Sequence, residues 1–162
     1  MRLVLADYLR CDPRKLAIGE EPGGKPSLDA AAGRGLAFSL AHSGNEVVLA
    51  VACAAAVGID IEGLDRRASA WRIAGCFFAA SERQALKRNA GAGETALKLW
   101  ALKESIGKAQ GTGVWDMLTG ARLAIVDGKV RWLAPPPGGR EADDCNRPIR
   151  TAGCRWATLA RG

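Results

Sequence analysis

Residues 36–62 read LAFSLAHSGNEVVLAVACAAAVGIDIE, and their order decides the architecture. Residues 36–40 are short, apolar and strand-like. His42-Ser43-Gly44-Asn45 is a polar turn, and residues 47–55 form a second apolar run, so the spacing predicts a β-hairpin. Residues 57–62 (VGIDIE) alternate apolar and polar side chains, the period of a strand with one polar face. Beyond this point the period changes. Residues 69–78 and 81–90 read as helices, the second opened by a capping box of Ser81 and Gln84. Residues 95–110 are long, proline-free and rich in Leu and Ala, the strongest helix signal in the chain. Residues 121–126 and 129–133 flank Asp127-Gly128, a second hairpin. Pro135 to Gly139 is a loop, and residues 154–160 can supply a last strand. Upstream, residues 2–10 form a short helix ended before Pro13, and the Gly-, Pro- and Asp-rich residues 19–35 read as loop. Helix, strands, helices, strands indicates an α+β fold.

A chain of 162 residues and 17.0 kDa suits a single domain. With 48% hydrophobic and 25% charged residues it has the composition of a globular domain, which excludes collagen-like, coiled-coil and largely disordered structure. No apolar run approaches the ~20 residues of a membrane helix, and the first residues lack the layout of a signal peptide. A cytoplasmic protein without a membrane partner is expected. The net charge of +6 points to an anionic partner. The basic residues are scattered rather than gathered into an aromatic-studded stripe, which argues against dedicated nucleic-acid binding. Five cysteines (Cys11, Cys53, Cys76, Cys145, Cys154) form no Cys-x-x-Cys pair, so zinc-finger and thioredoxin chemistry are excluded. Reduced thiols are expected, with Cys53 as a small core residue in its apolar run.

Four groups of residues carry chemistry. Asp60 and Glu62 lie two apart on the expected strand, so both carboxylates leave the same face, about 6–7 Å apart at Cα. Alone, they also fit a solvated strand face. Glu104 and Lys108 are one helical turn apart and alone fit a surface ion pair, with Lys103 adding charge beside them. Should the fold bring Glu104 to Asp60 and Glu62, three converging carboxylates would need protons or a cation. All-oxygen ligands suit Mg²⁺, with Lys103 and Lys108 meeting phosphates. His42, the one histidine, lies in a turn, where it is either structural or a phosphate contact. Gly24-Lys25-Pro26 places a lysine at a stiff turn.

In this order, Gly24-Lys25-Pro26, the stretch Phe38-Ser39-Leu40-Ala41-His42-Ser43-Gly44, Val57-Gly58-Ile59-Asp60-Ile61-Glu62 and the run WALKESIGK from Trp100 to Lys108 resemble the 4′-phosphopantetheinyl transferases of the Sfp type. Phe77-Phe78 followed by Ser81-Glu82 and Leu86 resembles the connecting helices of that family, and the resemblance spans roughly residues 2–133. It implies transfer of the phosphopantetheine arm of coenzyme A to a serine of an apo acyl or peptidyl carrier protein, with release of adenosine 3′,5′-bisphosphate. It implies Asp60, Glu62 and Glu104 as ligands of Mg²⁺ (Mn²⁺ being the alternative). Lys108 and Lys103 would face the pyrophosphate, His42 the 3′-phosphate, and Lys25 and Pro26 the adenine end. Glu104 and Lys108 would form the catalytic pair, with Glu104 as base.

The implied fold is one 4′-phosphopantetheinyl transferase domain over residues 1–162, built as a pseudo-dimer of halves 1–56 and 57–162. The sequence departs from the family at Ala41, where serine is common. It departs again at Ile61, which leaves two ligating side chains in that motif. Family members carry several tens more residues before Gly-Lys-Pro. A chain lacking that edge strand is expected to self-associate or to bind coenzyme A weakly; otherwise a monomeric pseudo-dimer is expected. A catalytically degenerate, coenzyme-A-binding relative and a Mg²⁺-dependent phosphohydrolase are the alternatives.

Overall fold

The computed structural model describes residues 1–21, 24–29, 33–112, 114–120, 122–126 and 129–134. The Asp127-Gly128 turn, the loop of residues 135–139, the expected strand at 154–160, Cys145 and Cys154 lie outside the described residues.

Apolar alternation across residues 36–53 produces the expected hairpin. Strand β3 (Leu36–Ser43) pairs antiparallel with β4 (Glu46–Cys53) in an unbroken register from Leu36 opposite Cys53 to Ser43 opposite Glu46. Gly44 takes the left-handed φ of 56° that the tight turn needs. The strand runs three residues further than its apolar core suggested, so His42 belongs to β3, opposite Val47, rather than to the turn. One face of this hairpin, through Phe38, Leu36, Leu49 and Val51, closes on helix α1 (Arg2–Leu9) and its buried Leu5, Ala6 and Leu9.

The segment read as loop holds a second, small hairpin. Strand β1 (Ile18–Glu20) pairs with β2 (Pro26–Leu28), and Ile18 and Leu28 pack against the same core. Three-residue strands are too short to leave a periodic signal, and Pro26 disguised one of them. Cys53 ends its strand exposed and free, as Cys11 and Cys76 are, because the apolar run outlasts the buried part of β4.

Residues 57–62 do not form a strand. They lie beside β3 and are attached to it through side chains. Ile59 N–H donates to Ser39 Oγ at 3.2 Å, and Gly63 N–H donates to Ser43 Oγ at 3.0 Å. The expected strand is therefore absent: among the described residues these positions have no ladder partner.

The remaining helices are α2 (Arg67–Phe77), α3 (Ala80–Lys87), α4 (Ala92–Gln110) and the short α5 (Val114–Thr119). The antiparallel pair β5 (Arg122–Val126) and β6 (Lys129–Ala134) follows. Helix α5 was not anticipated, being only 6 residues long. Helix α3 starts earlier than expected. Its cap is Glu82, whose Oε2 accepts from Ala79 N–H at 3.0 Å, so Ser81 and Gln84 are not the capping pair. A second core gathers Ala70, Ala74, Phe78, Leu86, Leu97, Leu99, Ile106, Met117, Leu118 and Leu123. The 19-residue α4 is its centre and stops at Gly111, whose left-handed φ of 71° ends the helical path. Among the described residues no helix is long and apolar enough to cross a membrane.

Candidate active site

Helix α4 presents Trp100, Glu104 and Lys108 at four-residue spacing, a single stripe along its surface. The segment of residues 57–62 lies against that stripe. Contact is closest at Gly58: a Cβ there would meet Ser105 O at 1.8 Å and Ala109 N at 2.6 Å. Only glycine lets the two backbones approach so far. Past this point the two acidic side chains reach opposite ends of the stripe. Lys108 Nζ donates to Asp60 Oδ1 at 2.7 Å, and Trp100 Nε1–H donates to Glu62 Oε1 at 2.9 Å. Arg66 holds the other oxygen of Glu62 at 2.8 Å.

Glu104 stands between these two pairs. Burial and then the charge of Asp60 push its carboxyl above the ordinary value, Lys108 opposes this, and Glu62 adds a further upward push. Burial likewise raises Asp60, against the opposing hydrogen bond and charge of Lys108. The charges of Asp60 and Glu62 thus make Glu104 costlier to ionise.

A cleft of about 390 Å³ opens beside this arrangement. Glu104, Gly107, Lys108, Gly111 and Thr112 form one wall, and Gly24, Lys25, Pro26, Ser39 and Leu40 the other. Lys25 Nζ lies 3.4 Å from Val57 O, at the start of the acidic segment. The structure therefore brings Lys25, Pro26, Glu104 and Lys108 to one cleft, with Asp60 and Glu62 on the stripe beside it.

Two expected site residues stand apart. His42 is exposed near the end of β3, on the face of Phe38 rather than that of Ser39 and Ser43, and is not among the residues lining the cleft. Lys103 is fully buried, with Nζ 3.1 Å from Glu82 Oε1 and 3.1 Å from Met117 O, so it belongs to the core and not to an anion site. One step along α4 from Glu104 is 100° of rotation, which turns Lys103 inward.

The all-oxygen chemistry of the donors is of the kind a divalent cation takes. Asp60 Oδ2 is buried and accepts no hydrogen bond, and the charges of Asp60 and Glu62 both bear on Glu104, a repulsion that a dication would relieve. Among the described residues no three His, Cys, Asp or Glu side chains are yet spaced to hold a metal; Asp60 and Glu62 are instead engaged by Lys108, Trp100 and Arg66.

The family model described as the 4′-phosphopantetheinyl transferase superfamily matches residues 56–140, more than half of the sequence, and includes the acidic segment and all of α4. The chain belongs to the 4′-phosphopantetheinyl transferase superfamily. Within it, the chain is 34% identical over 116 residues to slr0495 of Synechocystis, provisionally named a 4′-phosphopantetheinyl transferase; the match covers 70% of this chain and 47% of that protein. It is 29% identical to the 4′-phosphopantetheinyl transferase HetI of Nostoc, over 96% of this chain and 69% of HetI. It is 31% identical to the 4′-phosphopantetheinyl transferase AcpT of Salmonella typhi, over 65% of this chain and 54% of AcpT. The chain thus spans about half to two thirds of the superfamily relatives it matches.

The residues that sequence reasoning passed over are the supports. Ser39 and Ser43 hang the acidic segment from β3, Trp100 and Arg66 hold Glu62, and Glu82 holds Lys103. The serines did carry a signal, since polar side chains at alternate positions of an apolar strand require partners.

Proposed function

We propose that this chain transfers the 4′-phosphopantetheine arm of coenzyme A to a serine of an apo acyl or peptidyl carrier protein, as an Sfp-type enzyme. The convergence of Asp60, Glu62, Glu104 and Lys108 beside the cleft that Lys25 and Pro26 border carries this reading. The two separate cores, one before residue 56 and one after it, support a fold of two halves with the coenzyme between them.

In this reading Lys25 and Pro26 border the adenine end, and Lys108 faces the pyrophosphate from the opposite wall. Asp60, through its uncommitted Oδ2, would hold Mg²⁺ or Mn²⁺ together with Glu62 and Glu104. That ion supplies charge neutralisation to the pyrophosphate. The serine oxygen bonds to the phosphorus nearer the pantetheine arm, and the bridging P–O bond breaks. Adenosine 3′,5′-bisphosphate departs, and the serine proton passes to Glu104. A carboxyl raised above its ordinary value holds a proton more readily, which suits it to accept that one. Lys25, Glu104 and Lys108 fix the reactants, and positioning with electrostatic stabilisation carries most of such a transfer. The net charge of +6 steers an acidic carrier toward the cleft.

Incubation with coenzyme A, Mg²⁺ and an apo carrier protein, read by mass spectrometry, tests the reading. The carrier is expected to gain one phosphopantetheine; EDTA should abolish the gain and excess Mg²⁺ restore it. Release of inorganic phosphate without carrier modification would favour a phosphohydrolase instead, and binding without turnover a degenerate relative. His42 is assigned to the 3′-phosphate by its motif. His42→Ala should then weaken coenzyme A by about 1.5–3 kcal/mol in calorimetry, and dephospho-coenzyme A much less. Equal losses would make His42 a residue of the hairpin alone.

A further inference from the structure

The inward face of α4 carries Ala96, Leu99, Lys103 and Ile106, all buried. Three are apolar, as a core stripe requires, and the fourth is a lysine that water does not reach. Its ammonium meets Glu82 Oε1 and Met117 O, and lies 5.1 Å from the centre of the Phe78 ring. The Glu82 carboxylate is equally occupied: Oε2 accepts from Ala79 N–H, and Oε1 accepts from Leu123 N–H at 2.9 Å. One ion pair therefore ties α4 to the first turn of α3, to α5 and to β5.

Stability alone does not account for this arrangement. Burying two charges is costly, and apolar side chains of similar size in place of such a pair commonly hold a fold as well or better. Apolar packing orients a helix about its own axis within the play of its side chains, and a ring of directional bonds narrows that angle further. Lys103 immediately precedes Glu104. With Lys103 fixed inward, the stripe of Trp100, Glu104 and Lys108 must face residues 57–62, where it meets Glu62 and Asp60. Gly58 pressed on Ser105 and Ala109 fixes the distance between segment and helix, but a flat backbone contact does not fix rotation.

We propose that Glu82 and Lys103 are positioning residues whose buried ion pair sets the rotation of α4 and so aims Glu104 and Lys108 at the acidic segment. The proposal rests on the reading of that site as the transfer centre, although its first readout does not. Trp100 donates its indole N–H to Glu62 across the same gap, so its indole resonance in ¹H–¹⁵N spectra reports the rotation directly. Trp100→Phe identifies the resonance.

Lys103→Met and the near-isosteric Glu82→Gln are compared with Leu97→Ala, a core truncation on the same helix outside the ion pair. In the first two, at a temperature where each is folded, the Trp100 resonance is expected to shift and its exchange with water to quicken. Turnover per folded molecule at saturating coenzyme A should fall by about tenfold or more, since misplacement of a catalytic group by about 1 Å can cost a hundredfold. Leu97→Ala should lower the melting temperature with neither change. If Lys103→Met does not fold, Glu82→Gln decides alone. An unmoved Trp100 resonance in a folded variant overturns the proposal, as does Leu97→Ala reproducing the shift. If the wild-type chain modifies no carrier, the functional reading falls while the indole comparison still judges the positioning.

Discussion

Lys103 and Lys108 lie five residues apart on one helix, and each is paired with a carboxylate, yet the two pairs do different things. The Lys103–Glu82 pair is dry, with side-chain exposures of 0% and 1%, and its carboxylate is also held by two backbone N–H groups. The Lys108–Asp60 pair sits at the mouth of a cleft, with exposures of 30% and 9%, and Asp60 Oδ2 accepts nothing. Residue type and pairing are the same. What separates a structural pair from one available for chemistry is whether the surrounding groups have used up the remaining bonding capacity. A pair with bonds to spare can exchange its partner for a ligand; a saturated pair cannot without breaking the core.

Removing one partner from each pair separates them most sharply. Glu82→Ala leaves a buried ammonium and two backbone N–H groups without their acceptor. It should destabilise the fold by about 3–5 kcal/mol, read as a fall in the urea midpoint. A loss below about 1 kcal/mol would mean that water reaches the pair and the contrast is false. Gly58→Ala tests the other side of α4. Its Cβ would overlap Ser105 O and Ala109 N, so segment and helix must part, at a cost of about 3 kcal/mol. The Trp100–Glu62 and Lys108–Asp60 bonds should be lost while the Lys103–Glu82 pair survives, a difference that amide and indole NMR resolves.

Lys108→Met should cost only about 1 kcal/mol in stability, because the ammonium is partly solvated. A loss as large as that of Glu82→Ala would place Lys108 among the structural residues. The smallest effect has the opposite sign. Glu104 is raised above its ordinary 4.5 by burial and by Asp60. A carboxyl raised in the folded chain binds its proton more tightly there than when unfolded. Its favourable contribution is therefore complete below the unfolded value and is lost as pH rises through the folded one. In EDTA, Glu104→Gln should be more stable than the wild type at pH 7, by less than about 1 kcal/mol. The gap should close as pH falls below about 4.5. Thermal melts across that range decide it, and a gap that widens toward acid would reverse the assignment.

These comparisons mark what was legible in the sequence. The β3–β4 hairpin and α4 were, because each is long enough for its hydrophobic period to outweigh local exceptions. Alternation at residues 57–62 put Asp60 and Glu62 on one side, and the structure directs both to α4, although serine hydroxyls rather than a sheet hold the segment. Periodicity reports which way a side chain points, not what holds the backbone. Lys103 was misplaced for a similar reason. A charged residue beside Glu104 reads as part of the same surface until Glu82, 21 positions earlier in the chain, is known to wait for it in the core. Long-range partners of this kind leave no local pattern. Nor do β1, β2 and α5, whose lengths of 3, 3 and 6 residues fall short of two full periods.

The two serine hydroxyls that suspend the acidic segment have a consequence for its motion. A strand inside a ladder opens only with its neighbours, whereas a segment held at Ile59 and Gly63 by side-chain oxygens can detach while β3 and β4 remain paired. The amides of Ile59 and Gly63 should therefore exchange with deuterium ahead of those inside the hairpin. Release of the acidic segment then becomes a local equilibrium set by Ser39 and Ser43 on one side and by Trp100 and Lys108 on the other, separate from the folding of the domain around it.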